Sequence, residues 1–372
     1  MKKKYCLGFL LFLTTLFFAA AQSRNANPYW FTLERGKLYF RNGSYGDALI
    51  AFEDARRQRD SMYSRMERAL IDVLSIPEVR RFGDSLDRLE SYIAERNQIN
   101  ASEALQELYY RFSRESLNNS CQKALELIGE LKHYPEAEYW LGETYFAEGE
   151  LSLALRQYRR SYELRNYFEN PSFGNEVLYR MAGLHRLRQE YNEMEECLLE
   201  ILAGDTLWSG NSGSFARNAM TRTLENDGIN QFLTMYRYTN VQYERAHRLL
   251  GFYYYGSGRH NRAADHLLFA FLIQNSVLIE EISAHQFDYS FSDVDALVTE
   301  AERRTVPASF MNETEYFKTA YFLGTALYGT GNLTGARYFW SFLSRQASAG
   351  EWHDRGLSQM KSPFVEKVVE MP

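Results

Sequence analysis

Few stretches of this 372-residue chain have the residue types and spacing that chemistry needs. Gly210-Asn211-Ser212-Gly213 opens like the strained turn that presents a nucleophilic serine, but Ser214 stands where the closing glycine belongs and no strand pattern precedes it. It reads as a loop between helices. Phe291-Ser292-Asp293-Val294-Asp295 offers two carboxylates but lacks the further oxygen ligands and the glycine of a calcium loop. His260 and His266 fall on a turn and on the helix after it, so they point in different directions, and His133, His185 and His247 are solitary. The chain has no phosphate-cradling Gly-x-x-x-x-Gly-Lys and no His-Glu-x-x-His. Glu193, Glu195 and Glu196 share one predicted helix and are expected to be a solvated face. The sequence therefore predicts no catalytic residue, no metal site and no cofactor.

The elements that carry these residues follow from composition and period. A content of 45% hydrophobic and 24% charged residues with only 7 Pro supports a real core and suits an all-helical chain. The net charge of −6 is spread with Arg and Glu alternating and no basic face, which argues against nucleic acid as a partner. Three Cys exclude a disulfide-built mini-domain. Lys2-Lys3-Lys4, the apolar run Leu7 to Phe18 and Ala19-Ala20-Ala21 read as a signal peptide over residues 1–21, cleaved near Ala21. The apolar run is shorter than the roughly 20 residues a span requires. No Cys follows the small residues, so no lipid anchor is expected, and no later segment reads as long and apolar enough to span. The mature protein is expected to be exported, to a bacterial periplasm.

The strongest signal is internal repetition. Gly36-x-x-Tyr39-x-x-x-Gly43-x-Tyr45-x-x-Ala48-x-x-x-Phe52 returns as Gly142, Tyr145, Gly149, Leu151, Ala154 and Tyr158. It returns again as Gly251, Tyr254, Gly258, His260, Ala263 and Leu267, and as Gly324, Leu327, Gly331, Leu333, Ala336 and Trp340. The first glycine is expected to let two helices approach closely, and the second to close a helix in the left-handed conformation. The later Ala is the close-contact point on the second helix, and the large residue one turn beyond it packs the pair. The glycine-to-glycine intervals of 106, 109 and 73 residues match three, three and two units of roughly 34 to 36 residues.

This register resembles the tetratricopeptide repeat. The resemblance implies an all-α, right-handed superhelix of helical hairpins over residues 29–347, after a short linker at 22–28. Clear units lie near 29–61, 135–168, 244–275 and 317–347. Worn units are expected at Met181-Ala182 with Tyr191 and Leu198, at Ala219 with Gly228 and Met235, and at 105–134 with Ala124 and Ile128. Residues 62–97 and 276–305 read as helix pairs with little consensus. Pro28, Pro135, Pro171 and Pro307 precede proposed first helices, and Pro77 falls between two helices. Residues 348–372 break the pattern and are expected to form a cap or tail, with a short helix around Phe364 to Val369 or a loose end. Cys121 and Cys197 fall on second helices two units apart, on the order of 20 Å, against the roughly 7 Å a disulfide tolerates, so no disulfide is expected.

In this family the first helices line a concave groove that holds a peptide or another protein's helix. The matching positions here are Leu33, Lys37 and Phe40, then Tyr139, Glu143 and Phe146, then Tyr179 and Arg186. Further along come Arg248, Phe252 and Tyr255, and Tyr321, Thr325 and Tyr328. Aromatics beside Arg suit a binding surface. The alternative is that neighbouring units or a long loop cover them. Members that clamp a C-terminal carboxylate use a Lys and Asn set, which Leu33/Lys37 and Tyr139/Glu143 replace. The expected function is a non-enzymatic exported scaffold for a protein or peptide. The alternatives are a helical-toroid enzyme or binding protein for polysaccharide, and an accessory subunit of a transport or envelope-assembly machine.

Overall fold

A computed structural model describes residues 28–74, 133–209 and 213–367, with a few isolated positions between 87 and 104. The expected leader, Pro77, Cys121, Ala124 and Ile128 lie outside the described residues, as does most of the units expected over 62–97 and 105–134. The described chain is all-α, with no strand among the described residues. Its helices are α1 (Tyr29–Arg41), α2 (Tyr45–Leu74), α3 (Pro135–Ala147), α4 (Leu151–Glu163), α5 (Phe173–Leu187) and α6 (Tyr191–Ala203). They continue as α7 (Thr206–Ser209), α8 (Gly213–Met235), α9 (Glu244–Gly256), α10 (His260–His285), α11 (Val294–Glu302) and α12 (Thr305–Glu313). The last are α13 (Tyr316–Gly329), α14 (Leu333–Leu343) and α15 (Glu351–Lys361). Contacts divide the chain at Leu184/His185, inside α5, into two compact units.

The four consensus units are antiparallel hairpins: α1 with α2, α3 with α4, α9 with α10, and α13 with α14. In each, the first glycine faces the large side chain sixteen residues later. A Cβ added to Gly36 would lie 2.5 Å from the Phe52 ring, one on Gly142 2.6 Å from Tyr158, and one on Gly251 2.5 Å from Leu267. At Gly324 it would lie 3.0 Å from the Trp340 indole. Ala48, Ala154, Ala263 and Ala336 are all fully buried beside these contacts.

The turn is equally regular. Gly43, Gly149, Gly258 and Gly331 have φ of 75°, 82°, 75° and 88°. Each amide bonds the carbonyl three residues back, and the next residue's amide bonds the carbonyl five back. Both bonds satisfy carbonyls that the helix end leaves open. The worn unit at 173–203 keeps this turn without its glycine. Gln189 takes φ 60° and makes the same bond to Arg186 O, and Glu190 N bonds His185 O at 2.8 Å.

Several boundaries differ from expectation. α2 runs unbroken from Tyr45 to Leu74, through the break expected after residue 61, and α10 runs through residue 276 to His285. The reason in α10 is visible in its sequence, which has neither Gly nor Pro after His260 to stop it. In unit two α10 then packs directly on α13, and α11 and α12 form a short inserted pair rather than a full repeat. Pro307 sits in the first turn of α12, separate from α13. Gly228, at φ 80°, bends α8 instead of ending a repeat hairpin, and Met235 is 57% exposed rather than packed. The capping helix is α15, eight or more residues earlier than Phe364–Val369, and residues 363–367 are not helical. Cys197 is buried and forms no disulfide among the described residues.

Contrary to the sequence reading, α10 is long and apolar enough to cross a membrane by length and composition. Two-thirds of its apolar window is buried inside the protein (67%), the pattern of a core helix.

The turn geometry predicts that Gln189→Gly stabilises the protein by about 1 kcal/mol, since a side chain costs roughly that in the left-handed region. Gly142→Ala, which drives a methyl into Tyr158, is expected to cost on the order of 1–3 kcal/mol. Urea unfolding checks both, and a neutral Gly142→Ala would refute the close-approach account.

Candidate functional site

In unit one the predicted first-helix positions are largely consumed by packing. Phe40 lies on Trp140 with ring centres 5.6 Å apart, and Lys37 Nζ sits 5.6 Å over the same indole and 2.6 Å from Glu34. Leu33 is in the core. Tyr139 is buried among Trp140, Tyr158 and Phe173, and its hydroxyl accepts from Arg180 Nε at 3.2 Å. Glu143 is also buried, where it accepts from the Tyr158 hydroxyl and pairs with Arg180 Nε at 3.1 Å. Burial, then the Glu143 carboxylate, pushes the Tyr139 hydroxyl up to about 12. Tyr179 is buried as well. Of this set only Phe146 (40%) is exposed in unit one, and Arg186, which falls in unit two, is exposed as well. Of the two alternatives, cover by neighbouring helices describes most of this set, and Phe146 is left exposed.

Unit two follows the same rule with a polar variation. Arg248 is buried between two carboxylates, donating from Nε to Glu244 Oε1 at 2.9 Å and from Nη1 to Glu315 Oε2 at 2.6 Å. Gln274 Nε2 also donates to Glu244 at 2.7 Å. Burial pushes the Glu244 carboxyl up, against the pull of Arg248. Phe252 packs edge-on to Phe322, with Lys318 Nζ 4.8 Å over its ring. Thr325 is fully buried and donates to the Tyr321 and Phe322 carbonyls.

The three tyrosines at the other end of the strip meet the C-terminal segment. Tyr255 donates to Glu366 O at 2.9 Å, Tyr321 to the Glu366 carboxylate at 2.6 Å, and Tyr328 to Pro363 O at 3.4 Å. Helix α15 completes the arrangement. Trp352 packs on Tyr321 and Phe322, with ring centres 5.4 and 5.9 Å away. Arg355 Nη1 donates to Glu366 at 2.9 Å. Gln359, fully buried, donates to the Phe364 carbonyl at 3.1 Å and accepts from the Phe364 amide at 2.9 Å. Sequence reasoning missed Trp352, Arg355, Gln359 and Glu366. The signal available was the i, i+3, i+7 spacing of the first three, which places them on one helix face.

A second cluster overturns the reading of the histidines as solitary. His247 on α9 and His266 on α10 are buried with their Nδ1 atoms 3.0 Å apart. His247 Nε2 faces Asp205 Oδ2 at 3.6 Å, and Asp205 Oδ1 accepts from the Tyr238 hydroxyl at 2.7 Å and from the Leu207 and Trp208 amides. Trp208 packs on both imidazoles, and the Arg217 guanidinium lies 4.5 Å from its ring centre. The carboxylate favours the His247 tautomer with a proton on Nε2, which leaves Nδ1 to accept from His266. Burial pushes both imidazoles below their usual range, in His247 against the pull of Asp205, and in His266 with help from His247. Burial would raise Asp205, but His247, Tyr238 and the Trp208 amide outweigh it and hold the carboxyl low. Among the described residues no group of three or more His, Cys, Asp or Glu is placed to hold a metal ion.

No family model matches the chain. It is similar to an uncharacterized protein of Treponema pallidum (strain Nichols), 25% identical over 334 residues that cover 89% of each chain. It is also similar to an uncharacterized protein of Borreliella burgdorferi (strain ATCC 35210 / DSM 4680 / CIP 102532 / B31). That match is 21% identical over 240 residues, covering 59% of this chain and 74% of the relative.

The imidazole pair generates a pH prediction. Both histidines are held neutral, so their contribution is fully present above the unfolded value of about 6.5. Below it the unfolded chain binds protons that the fold refuses, and stability falls as pH drops toward the lowered folded values, by up to about 1.4 kcal/mol per pH unit for each histidine. Urea unfolding of wild type and His266→Phe between pH 7.5 and 5 is expected to give a shallower slope for the variant. Equal slopes would show that His266 is not held neutral.

Proposed function

We propose that this protein is an exported, non-enzymatic helical-repeat scaffold of the tetratricopeptide type that holds a protein or peptide partner. The observation that carries the reading is the extended segment at 363–367, gripped through its main chain by side chains of α9, α13 and α15. A surface that binds one stretch of extended backbone has the donors and acceptors to bind another. The four hairpins with the same glycine contact and the same left-handed turn support the repeat assignment. A preformed helical surface also reduces the ordering cost of binding. Lys2-Lys3-Lys4, the apolar run to Phe18 and Ala19-Ala20-Ala21 support export.

Phe252 and Tyr255 are buried. The better probes are Phe146, which is exposed, and Tyr328, at the edge of the segment. A photo-crosslinking residue at either position in the cell is expected to trap a discrete partner, and the recovered protein is expected to begin at Gln22. Absence of an adduct at both positions counts against the scaffold, and recovery of residues 1–21 counts against export.

A further inference from the structure

The grip on the C-terminal segment is selective in an informative way. Every hydrogen bond it makes with Tyr255, Tyr321, Tyr328, Arg355 and Gln359 involves either main chain or the Glu366 carboxylate. Phe364 and Val365, its large apolar side chains, stay 47% and 40% exposed. A segment added only to cover apolar surface would do the reverse, since burial of such side chains is the main gain available to it. What is read here is extended backbone at Phe364 and a carboxylate two residues later. Gln359 supplies both a donor and an acceptor to one residue, as a neighbouring strand would.

The reading groups are also costly to leave alone. Gln359 is fully buried, and Tyr321 and Tyr255 are 1% and 2% exposed. Gln359 Nε2 also donates to the Tyr321 hydroxyl at 3.1 Å and keeps that bond without the segment, but the Tyr255 and Tyr321 hydroxyls would lose the bonds they donate to Glu366. The segment is joined to α15 through Ser362, so its local concentration is high, in the millimolar range typical of short tethers. An external peptide must compete with it.

Resting on the scaffold reading above, we propose that the face formed by α9, α13 and α15 is a binding site for an extended acidic peptide of a partner protein. Residues 363–367 occupy this site as an internal competitor and leave it when the partner binds. The required pattern is a free main-chain amide and carbonyl at one residue and Glu or Asp two residues on.

The test uses the capped, labelled peptide Ser-Pro-Phe-Val-Glu-Lys, the sequence of residues 362–367. It is expected to bind a chain ending at Ser362 at least tenfold more tightly than the full chain. Replacing its Glu by Gln, or Arg355→Ala in the shortened chain, is expected to weaken binding about tenfold. Should the shortened chain lose its cooperative unfolding transition, full-length Glu366→Gln serves instead and is expected to bind the peptide more tightly than wild type. Equal binding by the closed and opened forms overturns the competition, and binding by neither overturns the site. A partner trapped in cells while the peptide binds no form leaves the scaffold standing and removes this site. Peptide binding with no trapped partner does the reverse.

Discussion

A large side chain resting on the bare backbone of a glycine sixteen residues before it is the contact on which each hairpin depends. Phe52, Tyr158, Leu267 and Trp340 are all fully or almost fully buried in this position. Burying such a side chain contributes roughly 1.5–3 kcal/mol, but only if the partner helix comes close enough to touch it. Close approach and burial are thus one constraint. The left-handed turn serves it by bringing the second helix back in register while satisfying the carbonyls at the end of the first.

Close approach has a consequence on the other side of the first helices. When hairpins stack, the side chains between them lose water, whether apolar or not. Arg248 is then stable only because Glu244 and Glu315 accept from it, and Glu143 because Tyr158 donates to it and the Arg180 charge pairs with it. His247 and His266 meet the same demand in part, through the bond between their Nδ1 atoms, while His247 Nε2 and Asp205 Oδ2 face each other at 3.6 Å without a hydrogen bond. Among the described residues α15 and the segment after it follow α14 in unit two, and they complete the tyrosine hydroxyls of α9 and α13. A polar group at such a depth must have a partner, and a short stretch of main chain is an economical one.

The repeat was legible because its signals are local. Gly36, Gly43, Ala48 and Phe52 lie within one hairpin, and their spacing alone implies the contact and the turn. Even the worn unit was traceable through Ala182 and Leu198, although Gln189 replaces the turn glycine. Helix ends were less legible. α2 and α10 overrun their units because nothing in their sequences stops them, and the consensus says where a helix must be present rather than where it must finish.

The sequence by itself determined the all-α class, the four hairpins and the glycine turns. These depend on spacings of sixteen residues or fewer, within reach of helical periodicity. Tertiary structure decided whether the first-helix positions are free. Tyr255 and Glu366 are 111 residues apart, and His247 and His266 meet only because two helices fold back on one another. Whether Tyr139, Tyr255 and Tyr321 serve as surface or core depends on which helix arrives beside them. A partner that distant leaves no periodic trace in the chain, so the same aromatic pattern fits an open groove and a closed one.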